Sequence, residues 1–170
     1  MSRLANAATR ELPKRQYIRP IRRRSPAPPR RETQMVLNAL LIAKCLACAF
    51  FAILFLQSGF DKVTDRKGNL DWLMGHFAKS PFDSVVPLLL RVLTLMELVS
   101  GFGALFGCFI VSTNGPHWIP VAAIGLCAAT LLCLFAGQRI AKDYPGAVTI
   151  ATYFGVSILS LYLMSIGLPA

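Results

Sequence analysis

Ser58–Pro81, SGFDKVTDRKGNLDWLMGHFAKSP, is a charged stretch set between two long apolar runs, Val36–Gln57 before it and about Val85–Val111 after it. From Ser58 to Ser84 it carries Asp61, Asp65, Asp71 and Asp83 against Lys62, Arg66, Lys67 and Lys79, so it is solvated without being a polyelectrolyte. Gly59 can let the chain leave a helix. From Asn69, a candidate N-cap, Leu70, Leu73, Met74 and Phe77 recur at helical spacing with Asp71, Gly75 and Lys79 off that stripe. The pattern predicts a short amphipathic helix at a membrane interface, with Trp72 as its aromatic anchor. His76 is the one group here whose ordinary titration range lies near neutrality.

The apolar runs on either side decide the class. A run of about 20 residues crosses the hydrocarbon core as a helix, and Val36–Gln57 has that length, with Lys44 as its single charge on a stem that reaches toward the interface. The second span, Val85–Val111, is 27 residues long and must tilt or protrude. Asp83 or Ser84 is its expected cap, and Pro87 fits in its first turn.

Within that span, Arg91 stands near the start and Glu97 at the centre. A charge at mid-membrane costs roughly 3 kcal/mol even on the lenient insertion scale, so Glu97 must be neutral or paired and must face the bundle interior. At about 100° per residue, Arg91 and Glu97 point about 120° apart on one helix. The partner of Glu97 is therefore sought on another helix, in a bound ligand or in a proton. Ser100, Gly101, Gly103, Ala104, Gly107 and Cys108 form a small-residue face for close helix approach.

Two plainer spans follow, Ile119–Gln138 and Ala147–Leu168, joined by a short polar turn. The last carries Thr149, Thr152, Tyr153, Ser157, Ser160 and Tyr162, which predict helix-to-helix hydrogen bonds or a ligand-facing seam. The expected fold is all-α: an antiparallel bundle of four transmembrane helices with an interfacial helix between the first and second. Cys45 and Cys48 form a C-x-x-C pair inside a span, which reads as small-residue packing; a redox pair needs an accessible, helix-terminal thiol.

Residues 1–34 are a separate unit. They hold ten of the eighteen Lys and Arg, with five prolines, which predicts a disordered or extended basic arm. Arg22, Arg23, Arg24, Arg30 and Arg31 lie nearest the first span and are the expected contacts for anionic lipids or a partner subunit. The net charge of +10 is concentrated in this arm, which excludes nucleic acid as the partner. The arm also predicts both termini on the cytoplasmic side.

Residues 36–168 resemble the DoxX family of four-helix bacterial and archaeal membrane proteins. The resemblance lies in FLQSGFDKV at Phe55–Val63, ELVSGFGALFG at Glu97–Gly107 and GQRIAKDYPGA at Gly137–Ala147. It implies residues 35–170 as one DoxX-like domain in the bacterial inner membrane, beside quinone or electron-transfer partners. Ser58, Gly59, Lys62, Glu97 and Gly101 fall on motif positions. The family carries no agreed catalytic residues, so none is assigned, and no metal is expected.

Two functions follow as expectations. The first is a non-catalytic accessory subunit of a membrane oxidoreductase or other bioenergetic complex, with lipids and other membrane subunits as partners and no intrinsic cofactor. The second is a quinone-handling or proton-coupled redox subunit, like the small subunit of a thiosulfate:quinone oxidoreductase. For that reading the candidate ligand residues are Glu97, Lys62, Arg91, Ser58, Trp72 and His76.

Overall fold

The computed structural model describes residues 31–166. Arg22, Arg23, Arg24 and Arg30 lie outside the described residues, and with them the expected arm contacts. Arg31 does not belong to an irregular arm: it opens the first helix, four residues before the boundary read from composition.

Five α-helices account for almost all of the described chain: α1 (Arg31–Thr64), α2 (Arg66–Phe77), α3 (Val86–Ser112), α4 (Trp118–Ile140) and α5 (Tyr144–Ser165). A single 3₁₀ turn, Asp83–Val85, leads into α3. The segments containing α1, α3, α4 and α5 are long and apolar enough to cross a membrane. At 1.5 Å per residue α1 is about 50 Å long, well beyond a hydrocarbon core of about 30 Å.

Gly59 does not release the chain from α1. The helix runs on to Thr64, and Gly59 is buried there because Leu98 of α3 lies against it; an added Cβ would come within 2.7 Å of Leu98 Cδ2. Gly101 makes the reciprocal approach, with Leu56 Cγ 2.8 Å and Leu56 backbone N 2.9 Å from where its Cβ would be. Gly107 serves another neighbour, lying against Pro120 and Ala123 of α4 and the thiol of Cys48. The small-residue face of α3 thus seats α1 and α4 together.

The remaining core is apolar, with Phe51, Phe55, Ile124, Leu131 and Met164 fully buried. Between α3 and α4 polar contacts are sealed inside: the Ser100 and Thr130 hydroxyls lie 2.8 Å apart, both without exposure, and Cys127 Sγ donates to Ser100 O at 3.6 Å. In α5 the hydroxyls of Thr149, Thr152, Ser157 and Ser160 all donate to carbonyls of their own helix, and Tyr162 is exposed. Among the described residues these four Ser and Thr hydroxyls make no helix-to-helix hydrogen bond, because a Ser or Thr in a helix can bond the carbonyl three or four residues back.

The helix ends show why the chain turns where it does. After α3, Gly115 N donates to Ile110 O and Asn114 N to Val111 O, with Asn114 in the left-handed region at φ 52°. After α4, Asp143 N donates to Gln138 O and Lys142 N to Arg139 O, with Lys142 at φ 60°. Both are Schellman closures, which satisfy carbonyls at the helix end. Asp143 then caps α5 by accepting from Gly146 N. The end of α5 is closed from elsewhere: Lys44 Nζ of α1 donates to Ile166 O at 2.7 Å and Met164 O at 3.4 Å. Its ammonium therefore neutralises a helix C-terminus and is not simply carried out to an aqueous interface.

The helix expected with Asn69 as its N-cap begins four residues earlier. Asp65 is its N-cap, accepting from Gly68 N, and Asn69 sits inside α2 with its amide donating to Asp61 O and Asp65 O. Leu73 and Phe77 are buried with Val86 and Leu90, whereas Met74 of the expected stripe is exposed. Asp83 and Ser84 do not cap α3: its N-cap is Val85, without a side-chain hydrogen bond.

Candidate functional site

α1 enters its last two turns at Ser58 and Lys62, four residues apart and so on one face. α3 presents Glu97 to that face at 1% exposure, held there by the close contacts of Gly59 with Leu98 and of Gly101 with Leu56. Lys62 Nζ lies 2.9 Å from Glu97 Oε2 and 3.1 Å from Oε1, and 2.8 Å from Ser58 Oγ. Ser58 Oγ in turn donates to Glu97 Oε1 at 3.0 Å.

The two carboxylate oxygens are unequal. Oε1 accepts two hydrogen bonds, from Lys62 and Ser58. Oε2 is within ion-pair distance of the ammonium, yet has no hydrogen-bond donor among the described residues. We regard it as held by charge alone, since a short N···O distance off the donor axis supplies Coulomb attraction without a directed bond. The Lys62 side chain is 13% exposed and that of Glu97 2%, so the pair leads from the interior to the end of the bundle.

Of the other candidate ligands, Arg91 is exposed, and no hydrogen bond or ion pair connects it to Glu97 among the described residues. The helical angle keeps it on another face. Trp72 and His76 form a second arrangement on α2, their rings stacked with centroids 4.6 Å apart. His76 Nε2 is 3.0 Å from Gln138 Oε1 and 3.9 Å from Asp143 Oδ2, which ties α2 to the α4–α5 turn. Beside it, the Arg139 guanidinium lies over the Tyr144 ring.

The chain matches no family model, no curated protein and no solved structure among those compared. The chemistry of the site must therefore be read from its own atoms. Ser58–Lys62–Glu97 can exchange a proton or bind α1 to α3 by charge, and can take a ligand at the buried Oε2 only with Lys62 displaced. Among the described residues, no group of three or more His, Cys, Asp or Glu is placed to hold a metal ion.

Sequence reasoning placed Ser58, Lys62 and Glu97 in one candidate ligand set with Arg91, Trp72 and His76, and the fold brings the first three together. It missed Gln138 and Asp143 as partners of His76. Asp143 offered a signal, an acid two residues before Pro145 where a helix is about to start. Gln138 offered none.

Proposed function

We propose that this chain is an integral membrane subunit of a membrane oxidoreductase or another bioenergetic assembly, in keeping with its resemblance to the DoxX family. In this reading its four long helices cross the bacterial inner membrane in alternating directions, and α2 lies along one interface. Opposed α1 and α3 are supported by their paired residues, because Cys48, Leu56 and Gly59 ascend in α1 while their neighbours Gly107, Gly101 and Leu98 descend in α3. The interfacial place of α2 is supported by its exposed Trp72 and its buried Leu73 and Phe77.

The observation that carries the accessory role is the closure of the charge pair within one chain. Lys62 spends its ammonium on Ser58 and Glu97, so the most costly charge in the membrane is neutralised by α1 without any outside group. A cluster satisfied in this way acts as a brace that presents the outer helix faces to lipid and to neighbouring subunits.

The second reading is a quinone-handling or proton-coupled subunit, favoured by Glu97 Oε2. This buried carboxylate oxygen has no directed donor among the described residues and lies 2.9 Å from the Lys62 ammonium, so a quinol hydroxyl would reach it only with Lys62 moved aside. In that displaced position the Lys62 ammonium, which here donates to Ser58 O, Ser58 Oγ and Glu97 Oε1, would be released to the headgroup.

Glu97→Gln separates the two. It keeps one carbonyl acceptor for Lys62 and Ser58 and removes the charge. In native membranes the accessory reading expects quinone-dependent electron transfer to fall only in proportion to the amount of assembled complex recovered. The quinone-handling reading expects about a tenfold or greater fall per recovered complex, since that is the scale of one lost charged hydrogen bond. Unchanged electron transfer per recovered complex refutes the quinone-handling reading, and a tenfold fall per recovered complex refutes the accessory one.

Orientation follows from the arm, whose bases are retained on the cytoplasmic side. Reporter fusions after Asn114 and after Ala170 should both report the cytoplasm, and a fusion within Asn69 the opposite side. A periplasmic signal at Ala170 overturns the four-span arrangement.

A further inference from the structure

At the end of the bundle where α3 and α5 finish and α4 begins, a cleft of about 330 Å³ opens between α1, the α3–α4 turn and the last residues of α5. It lies at the opposite end of α1 from Lys62. Its polar lining is Gln34, Asn38, Lys44, Asn114 and His117, and no Asp or Glu is among the lining residues. Its other walls are apolar, including Leu37, Leu41 and Ile110.

The donors in this lining exceed what the described residues use. Lys44 has three N–H groups, and two are occupied by the carbonyls of Met164 and Ile166. Asn38 Oδ1 accepts from Gln34 Nε2, which leaves the Asn38 NH₂ without a partner among the described residues. The side chains of Asn114 and His117 have no hydrogen bond among the described residues and are exposed. One full positive charge and several amide and ring N–H donors, with no acid opposite, select an anion.

The walls select an amphiphile. α1 continues more than three turns beyond Lys44 toward its start, and Met35, Val36 and Leu37 there are 65%, 67% and 48% exposed. Exposed apolar residues beside a set of unused donors fit an acyl chain leaving a charged headgroup.

We infer that this cleft is a binding site for an anionic phospholipid, with the headgroup phosphate held by Lys44, Asn38 and His117 and an acyl chain along Leu37 and Leu41. The inference is independent of the Ser58–Lys62–Glu97 site.

The test uses the full chain in detergent, with the basic arm intact in every variant. Phosphatidylglycerol, phosphatidylcholine and inorganic phosphate are each titrated, and thermal stability and lipid retention in native mass spectrometry are read. Lys44 also closes α5, so the variants are Asn38→Leu and His117→Leu, which leave that closure in place. Wild type should retain one phosphatidylglycerol and gain stability from it, and each variant should need about tenfold more of this lipid for the same gain, the scale of one charge-assisted bond. Without lipid the variants should melt as wild type does. Equal retention in wild type and both variants would overturn the site and assign lipid binding to the arm. Equal retention of phosphatidylcholine would overturn the selection for an anion, and full stabilisation by inorganic phosphate alone would overturn the lipid as its source.

Discussion

Lys62→Met, with Glu97 left in place, should cost the folded protein about 3–5 kcal/mol, the largest loss of any single substitution considered, because it strands a carboxylate in the interior. Glu97 is 1% exposed, and the loss of Lys62 leaves only the Ser58 hydroxyl to answer its charge. The reverse substitution, Glu97→Leu, should cost less, since the Lys62 side chain is 13% exposed at the end of α1 and can turn its ammonium toward water. The double variant Lys62→Met/Glu97→Leu should recover most of the stability, as apolar replacement of a buried pair is often neutral or better. Thermal unfolding in detergent of the four proteins forms a double-mutant cycle that reads the coupling directly. Additive losses would show that the pair contributes nothing to holding α1 on α3.

Gly101→Leu should prevent the close seating of α1 on α3, and even Gly101→Ala should destabilise by about 1–3 kcal/mol through overpacking. The reason is the neighbour: the added Cβ meets the backbone nitrogen of Leu56 at 2.9 Å as well as its side chain at 2.8 Å, and a backbone cannot be relieved by a rotamer change. Gly59→Ala meets mainly the side chain of Leu98, with Leu98 N at 3.4 Å, so it should be milder. Gly155→Ala is the control, with nothing within 4 Å, and should be neutral or stabilising by up to about 1 kcal/mol through helix propensity. Melting temperatures of the three Ala variants give the order. If Gly101→Ala melts with Gly155→Ala, the α1–α3 contact is looser than these distances require.

The two predictions depend on each other through geometry. The contacts of Gly59 with Leu98 and of Gly101 with Leu56 set the register of α1 on α3, and that register places Lys62 beside Glu97. A bulky residue at Gly101 should therefore weaken the ion pair as well as the packing. Buried charge and small-residue seam are one construction.

What could be read from the chain alone was whatever depends on length, polarity and local chemistry. Four apolar runs of span length are visible without a structure, as is the helix centred on Leu70–Phe77, because each is a property of consecutive residues. The demand that Glu97 be paired or neutral was equally legible, since the cost of a charge in hydrocarbon does not depend on the fold. The choice of partner among Lys62, Arg91, a bound ligand and a proton was not. Lys62 lies 35 residues from Glu97, Gln138 lies 62 from His76, and the α5 carbonyl that Lys44 meets lies 122 residues away.

Helices meant for lipid are apolar on nearly every side, so periodicity that would mark the buried face of a soluble helix is missing from them. Gly59 shows the consequence. Beside a charged segment its sequence context reads as a helix exit, but the close approach of Leu98 makes it a contact point in a continuing helix. By itself the sequence determined which segments are apolar enough to span and which residue must be paired or neutral. Only the packing of α1 against α3 decided that Lys62 supplies the charge and Ser58 a hydrogen bond, because small residues permit a close approach without naming the helix that makes it.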